Sequence, residues 1–137
     1  MKQHIAHIAL VVKDYDEAIN WYRDKLNFTL IEDTELSSEK RWVMMAPPGA
    51  KETCILLAKA ADEAQLAAVG NQSGGRVFLF LFTDDFQRGY VSMLANGVQF
   101  VRTPEDQPHG KVAVFKDLYG NLWDFIQPNG SNKGVIL

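Results

Sequence analysis

Two rhythms of apolar and polar residues alternate along this chain. Ile5 to Val12 is apolar on both faces and rich in branched side chains, the pattern of a buried strand. Asp14-Tyr15-Asp16-Glu17 follows, an acidic residue with a glutamate three positions on. That is a capping-box arrangement, and it predicts the start of a helix. Tyr15, Ala18, Ile19, Tyr22 and Leu26 then recur at helical spacing, and Asn27, which tolerates the left-handed conformation, ends the run.

The same grammar returns 70 positions later. Val77 to Phe82 is a second apolar strand, Asp84 with Gln87 forms a second cap, and Phe86, Tyr90, Met93 and Leu94 form a second stripe. Gly97 stands where Asn27 stood. After the first helix, strands are predicted over Phe28 to Asp33, Arg41 to Met45 and Thr53 to Leu57, with Pro47-Pro48-Gly49 as a turn. After the second they are predicted over Val98 to Arg102, Lys111 to Phe115 and Leu122 to Gln127, the last preceded by the turn residues Tyr119-Gly120-Asn121. Alanine-rich 60–70 reads as a short helix, and 71–75 as a loop. A matched series of strand, cap, stripe and helix end predicts two copies of one βαβββ unit.

Composition narrows the class. At 137 residues, with 47% hydrophobic and 23% charged, the chain has the make-up of one globular domain. A net charge of -3 leaves no basic stripe with which to neutralise phosphates, which argues against a nucleic-acid partner. The apolar run at the start is too short to span a membrane and carries His7. Cys54, the one cysteine, cannot form an intrachain disulfide, consistent with a cytoplasmic location.

Specific segments carry a resemblance. "HIALVVKDYDEAINWYRDKLNF" resembles the opening strand and helix of the glyoxalase/bleomycin-resistance/extradiol-dioxygenase (vicinal oxygen chelate) superfamily, and "GKVAVFKDLYGNLWDFIQP" resembles its closing motif. The resemblance implies an α+β fold of two modules, about 4–60 and 75–128, whose mostly antiparallel sheets curl around a cup. A tail over 129–137 would follow. It also implies a homodimer, which strands apolar on both faces would favour. Reactions in such a superfamily differ from member to member, so the fold alone does not name one.

In metal-dependent members the resemblance implies ligands on the first and last strand of each module. These positions map to His7 and Leu56 in the first module and to Val77 and Asp124 in the second. Two are donors and two are hydrocarbon, short of the three protein ligands of an ordinary catalytic zinc. Cys54 shares a strand face with Leu56, but two residues along a strand is ~7 Å, too far to stand in for it.

Read from the residues alone, His7 shares a face with Ile5, Ala9 and Val11, and Asp124 shares one with Leu122 and Ile126. Each polar group sits in an apolar row, where an unpartnered carboxylate costs several kcal/mol. The alternatives are a ligand or acid/base pair in a cup, a hydrogen-bonded core group, or a face open to water. Trp42, Met44, Leu56, Val77 and Trp123 supply apolar surface for a small molecule, and His109 lies in a loop that could face one. Arg41, Arg76, Arg102 and Lys111 are candidate anion contacts or strand-end charges. No Gly-rich phosphate loop, Cys-x-x-Cys pair or Gly-x-Ser-x-Gly elbow occurs. The sequence thus points to a small organic molecule bound in a concave pocket without a conventional four-ligand metal site. The alternative is a metal-dependent glyoxalase-type lyase, isomerase or dioxygenase holding a divalent ion on a reduced set, His7 and Asp124. A metal-free enzyme using either as base lies between them.

Overall fold

The computed structural model describes residues 1–131. The tail expected over 129–137 lies, from 132 onward, outside the described residues. The chain divides into two compact halves, the first Met1–Gln72 and the second from Ser73. Element order in the first is β1 (His7–Val12), α1 (Tyr15–Leu26), β2 (Thr29–Glu35), β3 (Arg41–Ala46), β4 (Cys54–Lys59) and α2 (Glu63–Ala68). The second holds β5 (Val77–Phe82), α3 (Phe86–Ala95), β6 (Phe100–Gln107), β7 (Gly110–Lys116) and β8 (Leu122–Pro128). Each half is a four-stranded mixed sheet, ordered β1-β4-β3-β2 in one and β5-β8-β7-β6 in the other. In both, the first and last strands pair in parallel and the remaining pairs are antiparallel. These are the two βαβββ modules of an α+β fold.

Helix α1 forms where the sequence places it. The Asp14 carboxylate accepts from the Glu17 backbone N–H at 2.8 Å, and Asn27 takes φ 57°, the left-handed residue that ends the helix. All five stripe residues, Tyr15, Ala18, Ile19, Tyr22 and Leu26, are buried. They share the core of this half with Leu10, Val12, Val43, Met45, Ile55 and Leu57. The second helix departs from expectation by one residue. Asp85, not Asp84, caps it, accepting from the Arg88 N–H at 3.1 Å, and Gln87 has no part in the cap. The Thr83 hydroxyl accepts from the Asp85 N–H at 3.1 Å, a local turn that absorbs Asp84 and delays the helix. Gly97, at φ 85°, still matches Asn27.

Strand bounds shift as well, those of β1 and β6 among them. β1 begins at His7, and Ile5 is exposed. β6 starts later and runs on to Gln107, because register shifts after Phe100 and Arg102 let the chain continue past Pro104 on a sheet edge. The outer edge of β1 is closed by a side chain. The Gln72 amide accepts from Val11 N–H at 2.7 Å and donates to the Ala9 carbonyl at 2.6 Å, occupying the backbone groups that an added strand would seek.

Candidate functional site

Within each half, alternation along the strands divides the sheet into a face that meets the helix and a face that does not. In the first half, Val43, Met45, Ile55 and Leu57 point to the buried side. Trp42, Met44, Leu56 and Ala58 alternate with them, half-buried, on the open side, together with exposed His7 and Ala9. His7 therefore does not lie in the core row of β1. That row is Ile8, Leu10 and Val12, and periodicity could not choose between two apolar rows. Register sets Ala9 opposite Leu56 and Leu56 opposite Met44. Across this apolar row the His7 imidazole leans to meet Trp42, ring centroids 6.1 Å apart at 77°, an edge contact. His7, Trp42, Met44 and Leu56 thus form one shelf.

At the end of the same sheet, where β4 finishes and β3 begins, lies a cavity of about 500 Å³. Trp42, Leu56 and Ala58 line it from the open face, Tyr15 and Leu57 from the other, and Lys40 and Lys59 also border it. Arg41, which also lines it, is engaged with two carboxylates. Its guanidinium donates to both Asp33 oxygens at 3.0 and 2.6 Å and to Asp16 at 2.9 Å, and it lies 5.1 Å from the Tyr15 ring centroid. The hydrogen bond from Arg41 holds the Asp33 carboxyl below its ordinary range. This candidate anion contact is a structural tie between two strands and the start of α1.

In the second half, Trp123 and Phe125 face α3, with Phe125 packed on Phe86 at 5.1 Å. Trp123 is 2% exposed, and its indole N–H donates to Asp117 at 3.2 Å. It is a core residue and does not line the open face, contrary to the expectation from sequence. Asp124 points the other way, half-buried, in register with Phe80 on one side and Val114 on the other, with Arg102 next beyond Val114. Arg102, Glu105, His109, Val114 and Asp124 line a cavity of about 240 Å³. Burial pushes the Asp124 carboxyl up, while the charges of Arg102 and His109 pull it back. The structure therefore brings His109, Asp124 and Arg102 together, a trio that sequence spacing did not single out. Of the other candidate cations, Lys111 is 3.7 Å from Asp106, and Arg76 is exposed. Val77 is half-buried at the start of β5, paired with Leu122.

A sequence profile of the Glyoxalase/Bleomycin resistance protein/Dioxygenase superfamily matches residues 4–125. The chain belongs to this superfamily. An uncharacterized protein of Shewanella frigidimarina is 58% identical over 130 residues, 94% of this chain and 96% of the relative. Among solved structures, UcmS2 matches with a TM-score of 0.80 at 26% identity, over 92% of this chain and 98% of its own. TnmS3 of Streptomyces sp. CB03234, described as an antibiotic binding protein, matches with a TM-score of 0.75 at 26% identity, over 93% and 98%.

The glyoxalase-type metal positions can be tested against these side chains. His7 and Asp124 are donors, but Leu56 and Val77 carry none, and His7 is in register with Cys54, not with Leu56. Among the described residues, no group of three or more His, Cys, Asp or Glu is gathered as a metal would need. The donor set does not fit a four-ligand centre. Among the same residues no helix is long and apolar enough to cross a membrane.

Proposed function

We propose that this superfamily member binds a small organic molecule on the open face of its first-half sheet and does so without a conventional metal centre. The observation that carries this reading is the edge contact of His7 with Trp42 across the row that holds Leu56. Where a metal-dependent member would need a donor, Leu56 offers hydrocarbon, and Trp42 on the same face adds an indole. Such a surface suits a flat, largely apolar ligand, with the His7 imidazole as a hydrogen-bonding group on it. The antibiotic-binding description of TnmS3 supports the same class of function. Within the second half, Asp124, Arg102 and His109 line a polar cavity that could take a ligand of its own. The working form is a homodimer, supported by large apolar side chains left open on the single chain, Phe80 at 61% exposed among them.

The test is a titration with the neutral aromatic probe N-phenylnaphthylamine, followed by its fluorescence, beside elemental analysis after dialysis. Wild type should bind the probe, and Trp42→Ala should weaken binding by about tenfold, ~1.4 kcal/mol. A near-stoichiometric divalent ion that survives dialysis and is lost in His7→Ala and Asp124→Ala would replace this reading with the metalloenzyme.

A further inference from the structure

The cavity at the end of the first-half sheet has a chemical polarity that goes beyond a generic apolar site. We infer that it selects aromatic molecules bearing an anionic group, a carboxylate or sulfonate, held by Lys40 and Lys59; this rests on the proposed binding of a flat ligand at Trp42. Its volume of about 500 Å³ is enough for a ligand of two or three fused rings. Trp42, Leu56 and Ala58 give it one apolar wall.

The charged groups around it divide unequally. Arg41 donates three of its N–H groups to Asp33 and Asp16, so its charge is answered largely within the protein. Glu39 is the one acidic side chain on the lining. Lys40 and Lys59 are exposed, and neither takes part in an ion pair among the described residues. Lys40 is also fixed in place at its backbone. Its carbonyl accepts from the Leu36 and Ser37 N–H groups at 2.8 and 3.1 Å, and its N–H donates to the Ser37 hydroxyl at 3.1 Å. A ligand whose rings lie on Trp42 would present its anionic end to two ammonium groups that have no other partner. Two flexible ammonium groups would hold it as point charges, so salt should weaken the interaction.

The experiment compares anilinonaphthalene sulfonate with N-phenylnaphthylamine, the same ring system without the sulfonate. Wild type should bind the sulfonate about tenfold more tightly than the neutral probe at low salt, and the preference should shrink at ~0.5 M salt, where charges more than a few ångströms apart are screened. The double variant Lys40→Glu with Lys59→Glu changes only exposed side chains. It should abolish the preference, weakening the sulfonate far more than the neutral probe. Trp42→Ala should weaken both probes together. Equal affinity of wild type for the two probes, or a preference that survives in the lysine variant, overturns the inference while leaving the apolar site standing. Sulfonate binding that ignores Trp42→Ala overturns the location. Failure of wild type to bind either probe overturns both the inference and the reading beneath it.

Discussion

Replacing Asp117 by alanine removes the centre of the closing motif. This carboxylate is 5% exposed. One oxygen accepts from the backbone N–H groups of Tyr119, Gly120 and Asn121 at 3.1, 3.1 and 2.9 Å. The other accepts from the Asn121 amide at 3.0 Å and the Trp123 indole at 3.2 Å. Tyr119 and Gly120 are only half-buried, so in the variant water can reach them. Asn121 and Trp123 are each 2% exposed, so the hydrogen bonds they would lose to the carboxylate are buried ones. A hydrogen bond to a charged group is worth about 1.5–3 kcal/mol, so losing the three buried ones, partly offset by relaxation, should destabilise the protein by about 3–5 kcal/mol. For a chain of this length that corresponds to a drop of roughly 10–20 °C in Tm. Urea unfolding followed by circular dichroism, with calorimetry for Tm, measures it. Asp117→Asn keeps the size of the side chain but turns an amide NH2 toward two other donors, so it should restore little. Trp123→Phe, which loses one hydrogen bond and part of a buried ring, should cost less, about 2–3 kcal/mol. A loss below ~1 kcal/mol in Asp117→Ala, or full rescue by asparagine, would refute the claim that acceptor chemistry holds this turn.

Burial raises the Asp124 carboxyl above 3.8, so the folded protein binds that proton more tightly than the unfolded chain does. Stability is therefore lost as pH rises from the unfolded value through the folded one, and Asp124→Asn should be no less stable than wild type at pH ~7, its relative advantage fading below about pH 4 in thermal melts. Gly89→Ala should destabilise by about 1–2 kcal/mol in urea, although alanine favours helices. Its Cβ would lie 2.5 Å from the buried Phe125 ring, and unchanged stability would contradict that contact. Sedimentation should give twice the 15.4 kDa chain mass at micromolar concentration, and a monomer alone would count against the proposed homodimer.

What the residue pattern disclosed, and what it hid, has a physical basis. The stripe of α1 was legible because one face of a helix repeats at a spacing no strand shares, and its Asp14 cap is a local hydrogen bond between near neighbours. The second stripe was legible in part: Phe86 and Met93 are buried, but Leu94 is 48% exposed. Strands apolar in both rows gave no such guidance. Nothing local says that Leu10, rather than Ala9, meets the core, or that Trp123 faces α3 while Asp124 faces away. That choice is made by register across strands distant in sequence. The gathering of Arg102, His109 and Asp124 depends on the bulges of β6, which re-aim side chains without a clear sequence mark. The ties of Arg41 to Asp33 and Asp16 join residues 8 and 25 positions apart, so a cation that could have met a ligand is already occupied.

The most direct test of the central claim is a crystal structure of the protein soaked with N-phenylnaphthylamine after dialysis against a chelator. Density for the probe's rings is expected against Trp42 and Leu56 on the open face of the first-half sheet, with no ion needed to hold it. Probe density elsewhere with that shelf empty, or a probe that binds only once a divalent ion is restored on His7 or Asp124, would contradict it.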